Sequence, residues 1–237
     1  MIDVFSNDLE FFDYYLKMFA TRCTDNCFSS YLYYLENEVM KNNPGVRFDL
    51  GTLELIRQNT LEGNINAVNY LYKNEEIINL YPHHIQQAAA HINDAMGIAY
   101  GYRKTAVAIN RDVSFAPAPA QSIPSKMMSL LDNYHNIWNV RDIFEREALL
   151  HIKLVRIQPF EDGNKRVAQF ITGYNLFRNG YAPIIIAEAD KEKYLSFIDN
   201  DDVGGFASFI KEKTQEELEY INKLRKEFDA TKGSVIK

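Results

Sequence analysis

Apolar residues recur at three- and four-residue spacings along almost the whole chain, and proline and glycine cut that pattern into segments. Such a period confines the fold to packed α-helices, each presenting one apolar stripe. Leu9, Phe12, Leu16 and Phe19 mark a helix over 8–21, and a second is expected over about 28–41, ended by Pro44-Gly45. Asp49 is placed to cap a third through Leu53 and Ile56; Gly63 interrupts its pattern and 65–72 resumes it. Pro82 opens a helix that reaches Gly97. Pro117 and Pro119 forbid helix until Ser122-Ile123-Pro124, where another begins. A long helix is expected over 140–157, stopped by Pro159, and the next over 164–178, closed by Asn179-Gly180. Segments 194–198 and 206–230 complete the set, the last with Lys/Glu alternation that reads as a solvated face. There is no internal repeat and no low-complexity linker.

One stretch breaks the helical rule. Lys104 is followed by Thr105, Ala106, Val107, Ala108 and Ile109, which are β-like, then by a turn at Asn110-Arg111-Asp112 and by Val113-Ser114-Phe115. This predicts a short hairpin. A hairpin alone is marginal, so inside a helical protein it is either decoration or a working flap.

Other features narrow the function. The formal charge, 26 basic minus 32 acidic residues, is −6, which argues against a general nucleic-acid binder. No apolar run approaches the roughly 18 residues of a membrane span. The start, Met1-Ile2-Asp3-Val4, lacks the basic and apolar regions of a signal peptide. Cys23 and Cys27, four apart, are awkward for a disulfide and have no second Cys/His pair to complete a zinc site. Two reduced thiols and a cytoplasmic location are expected.

The loop Gln158-Pro159-Phe160-Glu161-Asp162-Gly163-Asn164-Lys165-Arg166 carries the chemistry. It joins two helices and places a Gly-Asn step and a basic pair at the start of the second. Free N–H groups at a helix start favour anions, and glycine lets the backbone approach a phosphate closely. Lys165 and Arg166 add donors, and Asp162 is suited to Mg²⁺, which binds carboxylate and phosphate oxygens together. Two readings stand on the residues alone: a nucleotide-phosphate cradle with a metal carboxylate, or a capped helix–loop–helix with a surface salt bridge.

The run from His151 through Arg166 resembles the signature of Fic (Fido) proteins, His-x-Phe-x-(Asp/Glu)-Gly-Asn-(Gly/Lys)-Arg-x-x-Arg. The likeness extends to Gly101-Tyr102-Arg103 with its hairpin, to Ala116-Pro117-Ala118-Pro119 and to Gly180-Tyr181-Ala182-Pro183, covering roughly residues 60 to 215. It implies a mainly α fold: a Fic-type helical core with one short β-hairpin, preceded by an N-terminal helical lobe. The expected organisation is 1–59 lobe, 60–215 core, 216–237 C-terminal helix and tail. The resemblance also implies roles. The motif His takes a proton from a target hydroxyl, the acidic residue holds Mg²⁺, and the following segment cradles ATP phosphates while AMP moves to a Ser, Thr or Tyr hydroxyl. By position, Phe160 is the anchor, Asp162 the metal carboxylate, and Gly163, Asn164, Lys165 and Arg166 the cradle. The hairpin would dock a target protein as an added strand.

Two departures qualify those roles. Gln158 stands in the place of the catalytic His; an amide has no titration near neutrality and cannot act as general base. Gln169 stands where the final motif Arg grips the γ-phosphate. His151 lies two helical turns, about 10 Å, before Gln158 and is expected to be a packing residue. Many Fic proteins carry an inhibitory (Ser/Thr)-x-x-x-Glu-(Gly/Asn) helix whose Glu pairs with the final Arg. Leu61-Glu62-Gly63-Asn64 resembles its end, but Gln58 replaces the Ser or Thr, and Gln169 offers Glu62 no charge. The expectation is a divergent Fic protein that binds ATP or another phosphate ligand, with Mg²⁺, and whose AMP transfer is lost or impaired. The alternatives are a phosphotransferase, since Lys165 and the non-Arg residue at 169 resemble the Doc-like branch, or a non-catalytic interaction module that uses the flap.

Overall fold

The computed structural model describes Phe5 and residues 8–94, 97–98, 100–107, 109 and 113–235, and every regular element among them is helical. The first helix, α1 (Leu9–Tyr34), starts where Asp8 accepts from the Phe11 N–H at 3.0 Å. The break expected between residues 21 and 28 does not occur. The polar residues there satisfy themselves on the helix: Thr21, Thr24, Asn26 and Ser29 each donate to the carbonyl four residues earlier. The helix then widens into a π turn, Leu35–Met40. In α2 (Leu50–Lys73), Asp49 caps the start through the Thr52 N–H at 2.9 Å, as the sequence predicts. Gly63 does not interrupt it. A Cβ at Gly63 would lie 2.7 Å from the Ile92 carbonyl oxygen and 2.8 Å from that of His91, so the glycine permits close packing against the next helix.

That helix, α3 (Pro82–Asp94), stops short of Gly97, whose N–H donates back to the Asp94 carbonyl. Helix α4 (Ile123–Asp132) carries its proline in the first turn. A π turn and a 3₁₀ turn, Trp138–Val140, lead to α5 (Ile143–Ile157). It begins later than Val140 because Asp142 caps it through the Phe144 N–H at 2.9 Å. Helices α6 (Asn164–Arg178), α7 (Lys191–Asn200) and α8 (Val203–Val235) follow. Among the described residues of the expected hairpin none forms a strand; Ala108 and the turn at residues 110–112 lie outside the described residues, as does the start at residues 1–4.

Helices α5 and α6 pack on each other, and α8 runs against α5. Leu150, Leu154, Phe170 and Ile171 are buried at this centre, and α1 brings Phe11, Tyr15 and Phe19 into the same apolar cluster. Full burial of such side chains stabilises the fold by about 1.5–3 kcal/mol each. Two buried polar centres are paired across helices. Glu217 of α8 accepts from Tyr15 at 3.0 Å and from Arg22 at 2.9 Å, which fastens α1 to α8. His151 sits between Thr172 Oγ1 (3.1 Å) and the Tyr194 hydroxyl (2.9 Å). Its imidazole is buried and its pKa is driven down to about 3 by desolvation, so it is a neutral packing residue. Among the described residues no helix is long and apolar enough to cross a membrane.

Candidate functional site

The α5–α6 connection is shaped by residues that spend their polar groups on it. Gln158 leaves α5 in the left-handed region (φ +51°, ψ +62°), a conformation that costs a non-glycine residue about 1–3 kcal/mol. Neighbours hold it there. Its N–H donates to the Val155 carbonyl at 3.2 Å, and its carbonyl accepts from Arg103 Nε at 2.6 Å. Its side chain is occupied at both ends: Nε2 donates to the Val155 carbonyl at 2.8 Å, and Oε1 accepts from Asn164 Nδ2 at 2.9 Å. Asn164 also donates to the Phe160 carbonyl and accepts from the Phe160 N–H, both at 2.9 Å, and so clasps the loop shut. Phe160, the expected anchor, is buried with its ring 5.9 Å from that of Tyr102.

Two residues outside the motif complete the frame, and the sequence assigned neither a role of its own. Asn93 at the end of α3 donates to the Asp162 carbonyl at 3.1 Å. Arg103, buried, donates to the carbonyls of Gln158, Thr105 and Ala118, while its N–H reaches the Pro159 carbonyl at 2.9 Å. Arg103 therefore ties the loop to both flanks of the expected flap segment. A buried asparagine or arginine has no periodic signature, and only the Gly101-Tyr102-Arg103 likeness hinted at this one.

Gly163 opens α6 at φ +77°; a Cβ there would lie 3.0 Å from Asn93 Oδ1 and 3.2 Å from Ile92 Cγ2. No side chain caps α6 at this position, so its first-turn N–H groups face outward, an arrangement that favours an anion. Lys165 is exposed beside them, and Arg166 Nη2 lies 3.1 Å from Asp162 Oδ2. The Asp162 carboxylate is largely exposed. Among the described residues no group of three or more His, Cys, Asp or Glu stands ready to hold a metal. A single exposed carboxylate beside an anion cradle suits Mg²⁺, which takes one or two carboxylates and completes its shell with phosphate and water.

One turn into α6, Gln169 Nε2 donates to Cys23 Sγ of α1 at 3.2 Å. Between these helices lies a small cavity of about 140 Å³, lined by Cys23, Cys27, Lys165, Arg166, Gln169 and Glu188 among others. Both cysteines are free thiols, and burial pushes that of Cys23 well up. Glu62 is exposed on α2, and no hydrogen bond or ion pair joins it to Gln169, whose amide is turned to α1. Replacing Glu62 by Gly is therefore expected to leave the transfer rate within about twofold of wild type. A rise beyond about tenfold in a labelled-ATP assay would show that Glu62 restrains the site through another partner.

Comparison with known proteins places this geometry. Residues 71–176 match the model of the Fic/DOC family. A protein adenylyltransferase Fic from Aedes aegypti is 33% identical over 101 residues, which cover 39% of this chain and 20% of that protein. The Drosophila melanogaster protein of the same name is 39% identical over 75 residues, 30% of this chain and 15% of that one. The matched part is thus a fifth or less of those relatives. A Fic domain-containing signaling protein from Bacteroides thetaiotaomicron superposes with a TM-score of 0.66 at 21% identity, over 94% of this chain and 93% of the other. Fic-1 from C. elegans superposes with a TM-score of 0.62 at 18% identity, over 97% and 65%. The chain shares the fold of these Fic structures, and its segment 71–176 matches the Fic/DOC family model.

Proposed function

We propose that this chain binds a nucleotide or another phosphate ligand on residues 163–166 and that its transfer of AMP to protein hydroxyls is lost or strongly impaired. The observation that carries this reading is the state of Gln158: the residue at the base position is an amide with both ends engaged inside the protein. It does not titrate near neutrality, and its Oε1 is already engaged by Asn164. What supports a cradle is that the uncapped start of α6, Gly163 at a positive φ and the basic pair stand together. In this reading the first-turn N–H groups, Lys165 and Arg166 hold the phosphates. Asp162 holds Mg²⁺, which when bound neutralises phosphate charge. The relatives' names as adenylyltransferases support ATP as the ligand.

Calorimetry with ATP and Mg²⁺ tests the binding half. The wild type is expected to bind. Gly163→Val, which forces a side chain against Asn93 and Ile92 at a positive φ, is expected to weaken binding at least about tenfold, or about 1.4 kcal/mol. Equal affinities in folded wild type and variant would remove the cradle. Absence of binding in the wild type would leave the interaction-module reading.

A further inference from the structure

Beyond the motif loop, α4, the turn Trp138–Val140 and the C-terminal half of α5 enclose an open groove of about 650 Å³. Part of its wall is apolar, with Phe115, Leu130, Trp138 and Ile157 among the lining residues. Lys126, Lys153 and Arg156 also line it, and no carboxylate does, although the chain as a whole carries a charge of −6. The three cations are held differently. Arg156 lies over the Phe115 ring, 4.7 Å from its centroid, and donates to the Ile198 carbonyl at 2.8 Å and the Asp199 carbonyl at 3.2 Å. Lys153 is paired with Asp201. Lys126 projects from an exposed position of α4 and makes no hydrogen bond or ion pair among the described residues. Ser125, Ser129 and Asn133, spaced four apart, put hydroxyls and an amide along the same rim.

We propose that this groove docks an acidic segment of a partner protein through one aromatic or large aliphatic side chain. The size lies within the range of recognition pockets, about 300–1,000 Å³, and aromatic walls are where such anchors gain most. Charge complementarity selects the partner: a basic rim attracts acidic segments and repels basic competitors. Apolar walls distinguish it from a polyanion site, which needs cations along its length. The groove also ends at the motif loop. Ile157, which precedes Gln158, lines it, and the Ala118 N–H donates to the Ile157 carbonyl at 3.2 Å. A docked segment would therefore run toward the loop; that consequence rests on the function proposed above, whereas the docking does not.

The test needs no nucleotide, so its failure is distinguishable from failure of the proposed function. Trp138 is the chain's single tryptophan, so its emission reports on the groove. The probe is the blocked peptide Asp-Glu-Phe-Glu-Asp, with an Ala-for-Phe version, a version with Lys for every acid, and an oligothymidylate. A saturable change in Trp138 emission below about 2 mM acidic peptide is expected, with affinity falling about tenfold or more for the Ala version and for Lys126→Glu. The lysine version should give no saturation. Lys126 is exposed and has no partner among the described residues, so its replacement does not put folding at stake. Equal response to the lysine version, unchanged affinity in Lys126→Glu, no saturation by the acidic peptide, or equal binding of the oligothymidylate would each overturn the proposal.

Discussion

Replacing Gln158 by His is expected to lift AMP transfer from background to a measurable rate, within the span of about 10²–10⁴-fold that a general base contributes. A hydroxyl nucleophile must lose its proton as it attacks phosphorus, and nothing at position 158 takes it. On the proposed function the other parts stand near: the Asp162 carboxylate is exposed, Gly163 opens α6 at a positive φ, and Arg166 Nη2 lies 3.1 Å from Asp162 Oδ2. The gain should fall short of the upper bound, because Gln158 also serves the loop. Its Oε1 receives the Asn164 amide and its Nε2 meets the Val155 carbonyl, and an imidazole cannot keep both bonds while facing a substrate. Adding Gln169→Arg should raise the rate further, but the longer side chain must first displace the contact to Cys23 and enter the small cavity against α1. The two changes should be non-additive, since both act on one transition state. Autolabelling with α-labelled ATP measures wild type, Gln158→His, Gln169→Arg and the double variant, and γ-labelled ATP separates phosphate from AMP transfer. Strong wild-type labelling that is abolished by Asp162→Ala but indifferent to Gln158→Ala would falsify the pseudoenzyme reading.

The parts legible in the sequence are those that leave a local signature. Caps announced themselves: Asp49 and the proline in the first turn of α4 sit where expected. The limits of α6 follow from Gly163 before it and Asn179-Gly180 after it. The misreadings share one cause, which is that tertiary contact or side-chain back-bonding overrode propensity. The polar run after Thr21 reads as a break, yet its hydroxyls and amides bond to the helix's own carbonyls and α1 continues. Gly63 reads as an interruption, yet its reason lies 29 positions away, in the carbonyl of Ile92. The motif residues are contiguous in the chain and so were visible together. Their supports are not: Asn93, Arg103 and Cys23 reach the loop or its helix from remote elements, and no spacing rule links them to it. Gln158 shows the same divide. Its identity said what chemistry is missing, while the clasp with Asn164 emerges only when both ends of the loop are brought together.

Two buried ionisable groups in α5 are expected to hide each other's pH dependence, and single variants should expose it. The Glu147 carboxyl accepts from Tyr134 at 2.7 Å and from Asn175 at 2.8 Å, with Arg146 Nε at 3.4 Å, but burial dominates and raises its pKa from an ordinary 4.5 to about 7. The folded state therefore holds a proton there that the unfolded state releases, so its contribution is full below pH 4.5 and is lost as pH rises toward 7. His151 works the opposite way. Desolvation lowers its pKa from 6.5 to about 3, so its contribution is full above pH 6.5 and is lost as pH falls toward 3. Between pH 4.5 and 6.5 both act, with slopes of about 1.4 kcal/mol per pH unit and opposite sign, and they cancel. His151→Gln removes one limb, so across those two units its stability should fall by about 3 kcal/mol with rising pH relative to wild type. Glu147→Gln removes the other, and its stability should rise by about 3 kcal/mol relative to wild type over the same window. Surface carboxylates contribute equally to all three proteins and drop out of the differences. Urea unfolding followed by circular dichroism at pH 4.5, 5.5 and 6.5 gives the comparison. Three parallel curves would mean that the α5 interior lets water reach both groups, and that neither is held in the charge state its burial dictates.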